Sequence, residues 1–225
     1  MRKIMPTFDQ ETRLWQKGYH AIAGIDEAGR GALAGPVVAA AVIVPPSTPL
    51  AGLWAQVCDS KLLTAARRSE LETQIQTTAL AWGVGAVAAP IIDQIGIAAA
   101  TRLAMRDAIV ALPLAADYLL IDWVKLAQVN LPQESFIKAD QKIVSVAAAS
   151  ILAKVHRDRL LVALHEVHPA YAFHQHKGYG TAAHLAALEQ MGPCPEHRHS
   201  FAPIARPADL FTPSRSLMSI DNDSG

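Results

Sequence analysis

The chain has 225 residues, 51% of them hydrophobic, with 20 Lys and Arg against 20 Asp and Glu. That suffices for one sizeable core at the upper end of single-domain size, while the balanced charge removes the global basic field that advertises nucleic-acid binding. Two cysteines, Cys58 and Cys194, exclude a disulfide framework, and no apolar run reaches the roughly 18 residues of a membrane span without a Pro, Gly or charge. Met1-Arg2-Lys3 leads into the polar FDQETRLWQKGYH rather than a secretory core. A soluble, cytoplasmic monomer with no membrane partner is the expectation.

Residues 21–27 and 37–44 are short Val/Ile/Ala-rich runs joined by a glycine loop, the pattern of two adjacent antiparallel strands. Pro45-Pro46 ends the second. From Thr64, AARRSELETQIQTTAL has helical spacing behind a hydroxyl residue, and AWGVGAVA over 81–88 reads as a third strand. A second helix is predicted over 93–112, where Ile95, Ala99, Leu103 and Arg106 trace a stripe into Pro113. Residues 118–121 read as a buried strand ending on Asp122, and a short strand follows near 135–137. SVAAASILAKVHRDRLLVALHEV is the longest helical pattern, its small residues permitting close packing on a sheet. A last helix over 181–191 has Thr181 as its N-cap and Gly192-Pro193 beyond its end.

This order predicts an α/β fold, a mixed sheet of about five strands flanked by helices. One domain over residues 1–205 is expected, with a core at about 18–165 and a helical extension at about 166–205. The prolines and serines from Pro203 onward predict an extended or disordered tail, 206–225.

Four acids fall at element boundaries: Asp26 and Glu27 at the end of the first strand, Asp122 at the end of a later one, Asp140 before the long helix. Beyond strand ends is where ligands collect in open α/β sheets. Asp26 and Glu27 are neighbours on a strand, so sharing a site requires the pleat to break at Glu27, which Gly29 and Gly31 make easy. Carboxylates without clustered Cys or His select a hard cation, Mg2+ or Mn2+. Two such ions roughly 3.5–4 Å apart would clamp the attacking and leaving oxygens of a phosphoryl transfer. Alone, Asp122 would read as a loop cap and Asp140 as a helix cap.

With these residues in view the chain resembles the type 2 ribonuclease H family, ribonuclease HII, over roughly 18–205. The matching blocks are GIDEAGRGALAGPVVAAAVI, DSKLL at 59–63, LLID at 119–122, KAD at 138–140, AAASILAKVHRDR at 147–159, HKGYGT at 176–181 and GPCPEHRHSF at 192–201. The resemblance implies an RNase H-like fold and endonucleolytic cleavage of RNA in RNA/DNA hybrids, including single ribonucleotides in duplex DNA, leaving 5′-phosphate and 3′-hydroxyl ends. It carries metal ligation and catalysis onto Asp26, Glu27, Asp122 and Asp140. One ion would rest mainly on Asp26 and Asp140, the other on Asp26, Glu27 and Asp122.

Substrate contacts carried over are Gly29, Arg30 and Gly31 at the ribose 2′-hydroxyl, with Arg30 free to meet a phosphate, and Tyr179 on the sugar beside the junction. Ser60 and Lys61 are expected at a phosphate, and Lys154 on the long helix either steers substrate or snorkels to solvent. Departures from the family pattern are Trp123 in place of a glycine, Ala139 in place of a glycine, and Ile143 in place of a polar residue. Rival readings are a junction resolvase with the same acids and a zinc module built on Cys194, His197 and His199, with His184 a weak proton-transfer candidate. Ala208-Asp209-Leu210-Phe211 resembles the end of a sliding-clamp-binding peptide without its glutamine.

Overall fold

The computed structural model describes residues 5–205. Among them are α1 (Asp9–Trp15), β1 (Ile22–Ala28), β2 (Val37–Ile43), α2 (Ala65–Thr78), β3 (Ala81–Val87), α3 (Ala89–Ile95), α4 (Ile97–Val110), β4 (Tyr118–Asp122), β5 (Gln133–Phe136), α5 (Val144–Val167), α6 (Phe173–His176) and α7 (Ala182–Met191). The strands form one mixed sheet in the order β3-β2-β1-β4-β5. β1 pairs antiparallel with β2 and parallel with β4, whose own outer neighbour β5 is again parallel.

Alternation along β1 divides the core in two. Ala23 and Ile25 face the layer of α4, packed with Ala104, Met105 and Leu119. Ile22 faces the other layer with Leu120 and Val146 of α5. Gly24, on that second face, explains why α5 carries so many small residues: a Cβ there would fall 2.2 Å from the Ser145 carbonyl carbon. Helix and strand thus approach at backbone distance, which Ala147, Ala148, Ala149 and Ala153 permit. This contact sets the height of α5 over the end of β1, and with it the position of Asp140 just before the helix.

Two local expectations change. The helix predicted over 93–112 is two helices, because Gly96 takes φ +77°, left-handed backbone that a helix cannot use. The buried stripe of α4 is Ala100, Thr101, Ala104, Met105 and Ala108; Ile95, Ala99 and Arg106 lie on the solvent side. The second change is α1, which the sequence reading passed over as merely polar. Its Glu11 is buried and accepts the Ser145 N–H at 2.9 Å, capping α5 where Ile143 offers no side chain to do so.

Residues after α5 fold back onto the loop that follows β1. Leu33 and Ala34 share a cluster with Leu161, Tyr171, Phe173, Leu188 and Ile204, and Ala34 forms an antiparallel bridge with His197. No helix among the described residues is long and apolar enough to cross a membrane. Leu210 and Phe211 lie outside the described residues.

Candidate active site

The parallel register of β1 and β4 ends at Ile25↔Ile121, so Asp26 and Asp122 are the next residues on adjacent strands and point to the same face. That face is the one covered by α5. Asp140 lies in a 3-10 turn, Ala139–Gln141, immediately before that helix and buried. The turn is tied to the strand end: the Ala139 N–H donates to Asp122 Oδ1 at 2.7 Å.

The expected break of the pleat at Glu27 does not occur. The ladder to β2 continues regularly through Asp26↔Ala40, Glu27↔Ala39 and Ala28↔Val38, because antiparallel pairing to one neighbour is enough to hold the strand straight. Glu27 therefore starts on the opposite face and belongs to the group through the field of Asp122, which Arg30 partly offsets.

The electrostatics are those of a crowded anionic site. Burial first, then the charges of Glu27, Asp122 and Asp140, push the Asp26 carboxyl well above the usual carboxylate range. Burial and Asp122 push Glu27 up to about 7. Asp122 and Asp140 are raised as well, chiefly by burial. Lys61 Nζ, 3.9 Å from Asp140, is the cation facing this group on the α5 side. It is held up to it by Asp59, which accepts the Lys61 N–H at 3.0 Å and the Gln141 amide at 3.2 Å.

The donor set fits hard divalent cations: oxygen ligands only, from four separate positions, whose mutual repulsion Lys61 and Arg30 offset only in part. One buried oxygen, Glu27 Oε2, has no hydrogen-bond partner in the protein. In the present side-chain positions no three His, Cys, Asp or Glu among the described residues close into a ligand cluster.

The glycine-arginine-glycine turn follows directly. Gly29 takes φ +87°, and a Cβ there would fall 1.8 Å from Arg157 Nε, so its missing side chain makes room for a buried arginine. Gly31 is different: open space surrounds the place of its Cβ. Arg157 and Arg198 are both fully buried beneath this turn. Arg157 donates to the carbonyls of Ala34, Pro36 and Lys177, and Arg198 to those of Arg30 and Gly35, at 2.8–3.0 Å.

Other residues singled out from the sequence are placed as follows. The Arg30 guanidinium lies 3.8 Å from the Trp123 ring centroid, stacked on its face. Ser60 is buried, its hydroxyl spent on Ser150 at 2.8 Å, which leaves Lys61 as the exposed member of that turn. Lys154 pairs with Asp158 at 2.7 Å and stands 5.7 Å from the ring of Tyr179, itself 37% exposed. Ala139 and Ile143 are fully buried in the cluster that α5 and β4 share, so apolar side chains suit both positions. Trp123 occupies φ +48°, where glycine is at ease.

The histidines form no metal site. His184 Nδ1 lies 3.0 Å from the Tyr179 carbonyl and must donate to it; its Nε2 then accepts from His197 Nε2 at 3.0 Å, whose Nδ1 accepts the Cys194 N–H at 2.9 Å. Both rings are neutral in this chain. Burial and His184 push His197 down to about 4. Fully buried, His184 is removed from any proton-transfer role and instead fixes the backbone at Tyr179.

The ribonuclease HII family model matches residues 23–204. The chain belongs to the ribonuclease HII family. It is 48% identical over 209 residues to ribonuclease HII of Dehalococcoides mccartyi, covering 92% of this chain and 98% of that one. It is 52% identical over 202 residues to that of Chloroflexus aurantiacus, covering 89% and 95%. Among solved structures, ribonuclease HII in the PCNA complex of Archaeoglobus fulgidus superimposes with a TM-score of 0.68 at 28% identity, over 79% of this chain and 91% of that one. The chain is thus a ribonuclease, a phosphodiester hydrolase, on a five-stranded RNase H-like sheet. Family membership also settles the choice against the zinc module.

Sequence reasoning missed Asp59, Arg157, Arg198 and Gln141. Asp59, Arg157 and Arg198 lie in the matching blocks DSKLL, AAASILAKVHRDR and GPCPEHRHSF, but nothing in their neighbours reveals which groups they reach.

Proposed function

We propose that the chain is a divalent-metal-dependent endonuclease that cuts the RNA strand of RNA/DNA hybrids and duplex DNA at single embedded ribonucleotides, leaving 5′-phosphate and 3′-hydroxyl ends. The observation that carries the reading is the group of Asp26, Glu27, Asp122 and Asp140, acids from three chain segments whose fields act on one another beyond the ends of β1 and β4.

Two Mg2+ or Mn2+ ions held there would activate water and stabilise the leaving 3′-oxygen. The chain's own residues do the rest. Asp26 would be common to both ions; Asp122, fixed by the Ala139 N–H, and Asp140, on its turn, would hold them from the side covered by α5. Lys61, 80% exposed at its side chain, offers a positive charge to an incoming phosphate. Gly31 leaves room for backbone to approach a 2′-hydroxyl, which is the group that separates RNA from DNA. Tyr179 presents an amphipathic ring to the neighbouring sugar.

The test is a labelled DNA duplex carrying one ribonucleotide. Cleavage 5′ to it is expected with Mg2+ or Mn2+ and not after chelation, and the all-DNA duplex should stay intact. Gly31→Ala, which meets open space and needs no special φ, should fold normally and lose about tenfold or more in cleavage. Cleavage of an all-DNA junction instead would select the resolvase reading.

The Archaeoglobus fulgidus relative was solved as a complex with PCNA. Leu210 and Phe211 are our candidate for a clamp contact in this chain. Retention on an immobilised clamp should be lost in Leu210→Ala/Phe211→Ala.

A further inference from the structure

The Trp123 backbone takes φ +48°, a left-handed conformation unfavourable for any residue that carries a side chain. The backbone path is kept by the Trp123 N–H, which donates to the Phe136 carbonyl at 2.9 Å. Beyond that bond, the indole covers a partner from another segment: the Arg30 guanidinium, 3.8 Å from the ring centroid. Arg30 is further tied at its backbone, where its carbonyl accepts from Arg198. The side chain is therefore fixed at both ends, one by a buried guanidinium and one by an aromatic face. Arg30 is half-buried and Trp123 37% exposed, so the stacked pair stays open to solvent beside Glu27.

We propose that Trp123 is a positioning residue, whose indole holds the Arg30 guanidinium ready-oriented for a backbone phosphate of the substrate strand. The idea rests on the nucleic-acid reading of this site. An arginine side chain loses considerable rotamer freedom on fixing a phosphate, and stacking on Trp123 spends that freedom before the substrate arrives. The Trp123 side chain also hydrogen-bonds the Glu27 carboxylate, which feels the Arg30 charge as well, so ring, guanidinium and acid stand together at the edge of the site. Glycine at position 123 would relax the backbone while letting Arg30 roam.

A double-mutant cycle tests this, with Trp123→Gly, Trp123→Phe, Arg30→Ala and Trp123→Gly/Arg30→Ala measured on a duplex bearing one ribonucleotide. Trp123→Gly should melt no lower than the parent, since glycine takes φ +48° without strain. Its KM should rise about tenfold with kcat nearly unchanged, and Trp123→Phe should restore most of the loss by offering a ring to the cation. With Arg30 already Ala, Trp123→Gly should raise KM far less, the remainder reflecting the lost contact of Trp123 with Glu27. Equal increments in the two backgrounds would overturn the proposal, because the indole would then act on its own; so would an unchanged KM in Trp123→Gly. Equilibrium binding of the same duplex without divalent metal completes the cycle independently of turnover. If the parent protein cuts nothing, the nuclease reading fails, while coupling between positions 30 and 123 in binding still decides the positioning role.

Discussion

Asp26→Asn is expected to lower cleavage by at least about 10³-fold, roughly 4 kcal/mol of transition-state stabilisation, and at the same time to raise the melting temperature of the metal-free protein. Both effects have one cause. Asp26 is 5% exposed, shares a face with Asp122, and sits in the fields of three other carboxylates. Its negative charge attracts divalent cations and, without them, is a liability. The neutral amide removes the repulsion at nearly unchanged volume.

The pH dependence has a definite sign. Carboxyls whose folded pKa is raised hold their protons more tightly in the folded state than in the unfolded one, so stability falls as pH rises from the unfolded value toward the folded one. For Glu27 that window runs from 4.5 to about 7, and Asp26 moves the same way. Metal-free wild-type protein should thus lose stability across this range, and Asp26→Asn should lose less, so that the two melting curves diverge as pH climbs. Added Mg2+ or Mn2+ should raise the wild-type melting temperature and leave the variant almost unmoved. Scanning calorimetry at pH 5 and pH 8, with and without metal, checks each part. A variant that cleaves like wild type would end the ligand role of Asp26.

The second large effect is expected from Arg198→Met. The substitution keeps much of the aliphatic volume but strips the hydrogen bonds from the carbonyls of Gly35 and Arg30. Each buried carbonyl left without a donor costs about 1–3 kcal/mol. Removing a buried charge that also feels Arg157 returns part of this. The carbonyl losses win, because the loop has no other donors within it to replace them: Leu33 already receives its bond from Arg198 N–H and gives its own N–H to Gly178. A net loss of about 2–4 kcal/mol should lower the melting temperature by roughly 5–15 °C for a chain of this size. The same variant should discriminate poorly between a ribonucleotide-bearing duplex and its all-DNA counterpart, because the turn at 29–31 no longer has a fixed shape. A melting temperature within about 1 °C of wild type would remove the buried guanidiniums from the account of this loop.

Much of this architecture was legible in the chain, for reasons that vary by element. β2 could be read because its Val- and Ala-rich run ends at Pro45-Pro46, and β3 because AWGVGAVA is a short apolar run between two helical patterns. Thr64 and Thr181 capped the helices they precede, as their hydroxyl side chains predict. The four acids were legible as a set because no single bland role covers all of them. Capping of α5 was not legible, since its acceptor, Glu11, is 134 residues away. The stripe on α4 was misjudged because alanines form the buried face and bulkier Ile95 sits outside. Side-chain direction at Glu27 was misjudged in a similar way: the glycines after it promised a bend, but pairing with Ala39 kept the strand straight.

Arg198 grips a loop whose defining residues were synthesised some 170 positions earlier. A growing polypeptide therefore presents its acidic group and its glycine turn long before that turn can acquire its final form. The loop after β1 is thus completed by a segment made near the end of synthesis, which makes its closure one of the latest events in folding on the ribosome.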